Sequence, residues 1–148
     1  MALVDTALAT VHLLVGAFWV GSVAFFAGVV LPNARGGGLD AAPLESMVAS
    51  LTRWSRVASV VLLVTGGHLA ATGYTVETLA STANGNLVVA MVVLWLVLTG
   101  LVEAGGSRLR DGLSRKKVRE PAATALRLYR GAAVVGALLL VTAGAIVG

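Results

Sequence analysis

Residues 7–32 read ALATVHLLVGAFWVGSVAFFAGVVLP, without one charged side chain between Ala7 and Pro32. At 1.5 Å of rise per residue, a helix of this length crosses a hydrocarbon core of about 30 Å. The stretch is read as the first membrane span, TM1. Its length, its glycines and the lack of a basic region before it argue against a cleaved signal peptide; Asp5 is the only charge that precedes it. Within it sits His12, one of two histidines in the chain. An ionisable ring at that depth needs a partner or a cavity.

The rest of the composition agrees with a membrane protein. The 148 residues are 57% hydrophobic and only 12% charged, with mean hydropathy +0.91, against about 25% charged in a soluble domain. There are no cysteines, which excludes disulfides, thiolate metal sites, iron–sulfur clusters and covalent c-type haem attachment. The net charge of +4 would otherwise hint at nucleic acid. Here the basic residues lie between apolar runs, where they act as orientation signals.

Outward from TM1, the pattern predicts three more spans. TM2 covers about 51–72 and carries His68; TM3 covers about 87–104; TM4 covers about 125–147. Asp40 to Glu45 reads as a helix start with Pro43 in its first turn, and Pro121 opens the last helix. Four spans with short links predict an all-α, up-down four-helix membrane bundle forming one domain over 1–148. All 11 Lys and Arg residues fall in or beside two basic segments, 33–50 and 105–124. The positive-inside rule puts these segments in the cytoplasm and both termini outside, in a plasma or inner membrane.

Helix faces suggest contacts. Ala17, Gly21, Ala24 and Gly28 form a small-residue stripe on TM1, and TM4 has Ala132/Gly136 and Ala133/Ala137. Such surfaces serve ordinary helix packing or a homodimer seam. Arg53, Trp54 and Arg56 anchor the start of TM2 at the interface. Trp19 and Trp95 lie mid-span and are expected inside the bundle. Glu103 is expected to pair with an arginine such as Arg108.

His12 and His68 are the candidate site. Counted from Asp5 and Tyr74, each lies roughly 10 Å below the outer face, on neighbouring antiparallel spans. Two facing imidazoles can bind copper, ligate haem b from both sides, or simply hydrogen-bond to groups such as Thr65 or Thr72. Met91 on TM3 is a thioether candidate for Cu(I). Gly16, Gly67 and Trp19 are candidates for lining a cofactor. No nucleophile–base set, phosphate loop or pair of intramembrane carboxylates appears, so nothing demands an enzyme.

These residues resemble the CopD-type membrane domain. The likeness rests on Val11-His12-Leu13-Leu14, Gly16-Ala17-Phe18-Trp19-Val20-Gly21, Leu31-Pro32, Arg53-Trp54-Ser55-Arg56 and Thr65-Gly66-Gly67-His68, and spans about 8–145. It implies a role in copper resistance or uptake across the inner membrane, with His12 and His68 carrying it. A more distant likeness is to HemJ-type haem proteins. The chain departs from that pattern: no basic residue directly precedes His12, and Pro32-Asn33-Ala34-Arg35 replaces a Pro-Arg pair. Three readings follow: copper binding or passage, bis-histidine haem ligation with electron transfer, or an accessory bundle in a larger membrane complex.

Overall fold

The computed structural model describes residues 2–147. Helix α1 (Ala2–Phe25) runs through a π-helical turn (Phe26–Val30) into α2 (Leu31–Gly36); α3 (Ala41–Gly73), α4 (Val76–Ser81), α5 (Ala83–Ser114) and α6 (Arg119–Val147) follow. The described residues contain no strand. Four helical stretches are long and apolar enough to cross a membrane. Their neighbours are α1 with α3, α3 with α5, α5 with α6, and α6 with α1. That is the closed ring of an up-down bundle, as the short links required.

Pro32 explains the π turn. It has no N–H, and its ring would clash with the carbonyl of Gly28, four residues back. The helix widens just before it, so that the Leu31 N–H reaches the carbonyl of Phe26, five residues back. The chain then leaves α2 at Gly37, whose φ of 86° is the left-handed region that glycine tolerates. The Gly37 and Gly38 amides close the helix end on Ala34 and Asn33. The Arg119 guanidinium lies against Gly37, so the turns before α3 and α6 meet.

The basic segments are mostly helical. Only 37–40 and 115–118 interrupt them, because α3, α5 and α6 continue well past their apolar runs. We refer to this side of the bundle as the basic end, and to the opposite side as the histidine end. There the polar segment 73–86 forms α4, started by a Thr75/Thr78 capping box, and Thr82 caps α5 through the Gly85 amide at 3.0 Å.

Packing differs between the ends. Trp19, Val23, Leu31, Leu44, Val48, Leu98, Val102, Leu109 and Tyr129 are completely buried, and all lie in the half nearer the basic end. Among the described side chains, none of residues 3–18, 66–73, 86–97 or 137–146 is buried. The small-residue faces divide similarly. Gly136 of α6 is packed on α1, where a β-carbon would stand 2.9 Å from Val20 Cγ1. Ala17, Gly21, Ala24 and Gly28 all stay exposed.

Candidate functional site

Helices α1 and α3 meet through three polar contacts in antiparallel order. Deepest is Trp19, wholly buried, whose Nε1–H donates to Ser55 Oγ at 2.8 Å. Next is His12, half-buried, whose Nδ1 is 2.8 Å from Thr65 Oγ1. Nearest the termini is His68, whose Nε2 is 3.2 Å from Asp5 Oδ1, both side chains being 42% exposed.

The hydrogen-bond network fixes the His12 tautomer. The Thr65 hydroxyl donates its single proton to the Val61 carbonyl at 2.7 Å, and a carbonyl cannot donate back. Thr65 therefore accepts from His12, so Nδ1 carries the hydrogen and Nε2 keeps a free lone pair. The ring rests against Gly66, where a β-carbon would stand 2.8 Å from its Cε1. Any larger residue at 66 would displace it. Asp5 engages His68 through Nε2, which leaves Nδ1 as that ring's other nitrogen. In metal sites a ligating histidine generally donates its second nitrogen to such a partner.

Counted from the outer helix ends, the two rings are expected at one depth. Instead each has its own anchor: His12 bonds at the level of Thr65, and His68, about one helical turn nearer the termini, bonds to Asp5. The offset follows from the Trp19–Ser55 contact, which sets the register of α1 on α3. Bis-histidine haem ligation needs two imidazoles facing across one flat macrocycle. Here the His12 ring closes on Gly66 instead, and the residues do not form that slot.

The other candidates fall in different places. Gly16 lies in ordinary contact with α3, 3.8 Å from Leu62 Cδ2 at its β-position, and Gly67 faces open space. Trp19 is core. Met91 is half-buried on α5, which packs on α3, α4 and α6. Among the described residues no group of three or more His, Cys, Asp or Glu gathers to hold a metal. Trp95 is half-buried with its indole N–H enclosed and unpartnered. Glu103 does pair with an arginine, but with Arg56 of α3 in a two-pronged contact of 2.6 and 2.9 Å. Arg108, five residues on along the same helix, is exposed.

The sequence offers Thr65 as a hydrogen-bond partner for a histidine, and His12 takes it; it marks Asp5 only as a leading charge and outer anchor, and gives no role to the other buried hydroxyls of α3. Thr52, Ser55, Ser59 and Thr65 are the buried polar residues among those described, and all face the bundle. Thr52, Ser55 and Ser59, spaced three and four residues apart, mark one helix face, and that was the available signal; Thr65, six residues on, lies off that stripe.

A family model described as Copper resistance protein D (CopD) matches residues 45–148. No curated protein and no solved structure matches the chain. The match begins after α1, so it includes His68 and Met91 but not His12. It covers well over half of the sequence and agrees with the four long apolar helices: the chain belongs to the CopD family of membrane proteins related to copper resistance.

Proposed function

We propose that this protein binds copper as cargo at the histidine end of the bundle, through His12 Nε2 and His68 Nδ1, and presents or passes it across the cell membrane. The observation that carries the reading is the pairing of each imidazole, through one nitrogen, with a partner on the facing helix. That arrangement fixes the ring and leaves the second nitrogen as a ligand. Two nitrogen donors on separate anchors form a sparse site, suited to an ion that must leave again. Met91 is the thioether that would favour Cu(I). By the positive-inside rule the basic end is cytoplasmic and the histidine end faces outward. A second copy of the chain would seat on the exposed Ala17/Gly21/Ala24/Gly28 face of α1, the α6 counterpart being used within the chain.

The test is copper titration of the purified protein under reducing and oxidising conditions, with metal analysis and an absorption spectrum. Copper-dependent stabilisation should weaken in His12→Ala and in His68→Ala, and vanish in the double variant. Undiminished copper retention by the double variant would sink the proposal, as would a Soret band that disappears in His12→Ala.

A further inference from the structure

At the basic end, Thr52, Arg110 and Tyr129 converge on Gly106. A β-carbon there would stand 2.9 Å from Thr52 Oγ1, 3.3 Å from Arg110 Nη1 and 3.4 Å from Tyr129 Oη. Tyr129 is fully buried, its ring set against Gly105 and tilted on Phe26 of the π turn with centroids 4.9 Å apart. Its hydroxyl has no hydrogen-bond partner. A buried polar group left in this way needs an explanation, and an absent ion or ligand is one.

The neighbouring charges say which kind. Arg110 donates to Thr52 Oγ1 at 3.1 Å. Thr52 spends its own proton on the Val48 carbonyl at 2.8 Å, so it has none to give Tyr129, and the Tyr129 hydroxyl makes no bond to it. Glu103 has both oxygens on Arg56. Among the described residues, no carboxylate lies in ion-pair range of Arg110. The cluster thus holds a guanidinium whose hydrogen bond goes to a neutral hydroxyl, with the Glu103 carboxylate beyond ion-pair range, and a phenol O–H that lacks an acceptor.

We propose that this cluster is an oxyanion site, which takes one phosphate oxygen between the Arg110 guanidinium and the Tyr129 hydroxyl. Guanidinium groups favour phosphate through their fork of N–H donors. The site lies just past the apolar run of α5, which ends at Ala104, and the end of an apolar span is where headgroups are expected. Arg110 is half-buried, and turning from Thr52 would admit the ligand. The source is a phospholipid headgroup or free phosphate, and the inference does not depend on the copper reading.

The experiment follows the thermal unfolding of the full chain by tryptophan fluorescence. One arm titrates inorganic phosphate in neutral detergent; the other compares nanodiscs of phosphatidylglycerol and phosphatidylcholine. Saturable stabilisation is expected, with apparent affinity lowered about tenfold or more in Arg110→Gln, since a hydrogen bond to a charged group is lost. Tyr129→Phe should lower it as well, while melting no earlier than wild type without phosphate, because it deletes only an unpaired hydroxyl. Arg127→Gln, an exposed arginine outside the cluster, should respond as wild type. Response to free phosphate identifies a free-anion site, and response to phosphatidylglycerol alone identifies a headgroup site. Absence of both responses, a Tyr129→Phe response equal to wild type, or an equal loss in Arg127→Gln would overturn the proposal.

Discussion

Replacing Thr65 with valine isolates the bond that orients His12. Valine keeps the shape and β-branching of threonine, so the 5% exposed site stays filled. The Val61 carbonyl is left with its ordinary helical hydrogen bond. What is lost is the acceptor for the His12 Nδ1–H, 2.8 Å away. Leaving that half-buried donor unpaired should destabilise the protein without copper by about 1 kcal/mol. The effect on copper should be larger in proportion. Losing the partner that orients a metal-bound histidine lowers metal affinity by about 10–100-fold. Thr65→Ser, which keeps the hydroxyl, should recover most of both losses. The assay is copper-dependent thermal stability of wild type, Thr65→Val, Thr65→Ser and His12→Ala in one detergent. If Thr65→Val binds copper like wild type while His12→Ala does not, orientation by Thr65 is refuted.

Two further outcomes test the packing on which this site rests. Ser55→Ala leaves the completely buried Trp19 N–H without its acceptor, and should cost about 1–3 kcal/mol in chemical or thermal unfolding; it should also loosen the α1–α3 register and so weaken copper binding at His12. Gly105→Ala puts a β-carbon 2.8 Å from Tyr129 Cε2, on a ring with no room to retreat, and should cost about 1–3 kcal/mol. Gly100→Ala meets nothing within 4 Å on the same helix, and its melting temperature should equal or exceed that of wild type.

The sequence was most legible where one-dimensional pattern is enough. Uninterrupted apolar length gave the four spans, Asp40 and Pro43 marked the start of α3, and the order of short links gave the ring of neighbours. Family membership was also visible in the residues around His68. Less legible was anything that depends on which residue of one helix meets which residue of another. Asp5 and His68 are far apart in sequence, and nothing in hydropathy pairs them; the Trp19–Ser55 contact does so by setting the register. The choice of Arg56 over Arg108 for Glu103 has the same origin. Pro32 was plainly visible, but it permits either a kink or a π turn, and the packing of Phe26 on Tyr129 accompanies the second outcome. The buried hydroxyls of α3 other than Thr65 were concealed for another reason. Serine and threonine barely lower the hydropathy of a span, because they return their protons to the helix carbonyls, as Thr52 and Thr65 do here.

The contrast between the two ends bears directly on how copper would move. At the histidine end His12 is half-buried and His68 exposed, so on the proposed reading an ion would reach the imidazoles without any helix shifting. Below them the way is shut. Trp19 fills the space between α1 and α3, Phe26 and Tyr129 close over one another, and Leu98 and Val102 complete a fully enclosed apolar layer. A cation cannot cross such a layer while it stays dry. Passage would therefore require rearrangement, and the π turn is a candidate place for it: its wider hydrogen bonding, beside Pro32, is the one π-helical segment among the described residues. A shift there would carry Phe26 off Tyr129 and open the layer toward the basic end. On the proposed reading, capture would involve only the site at the histidine end, whereas transfer would also require the plug beneath it to open.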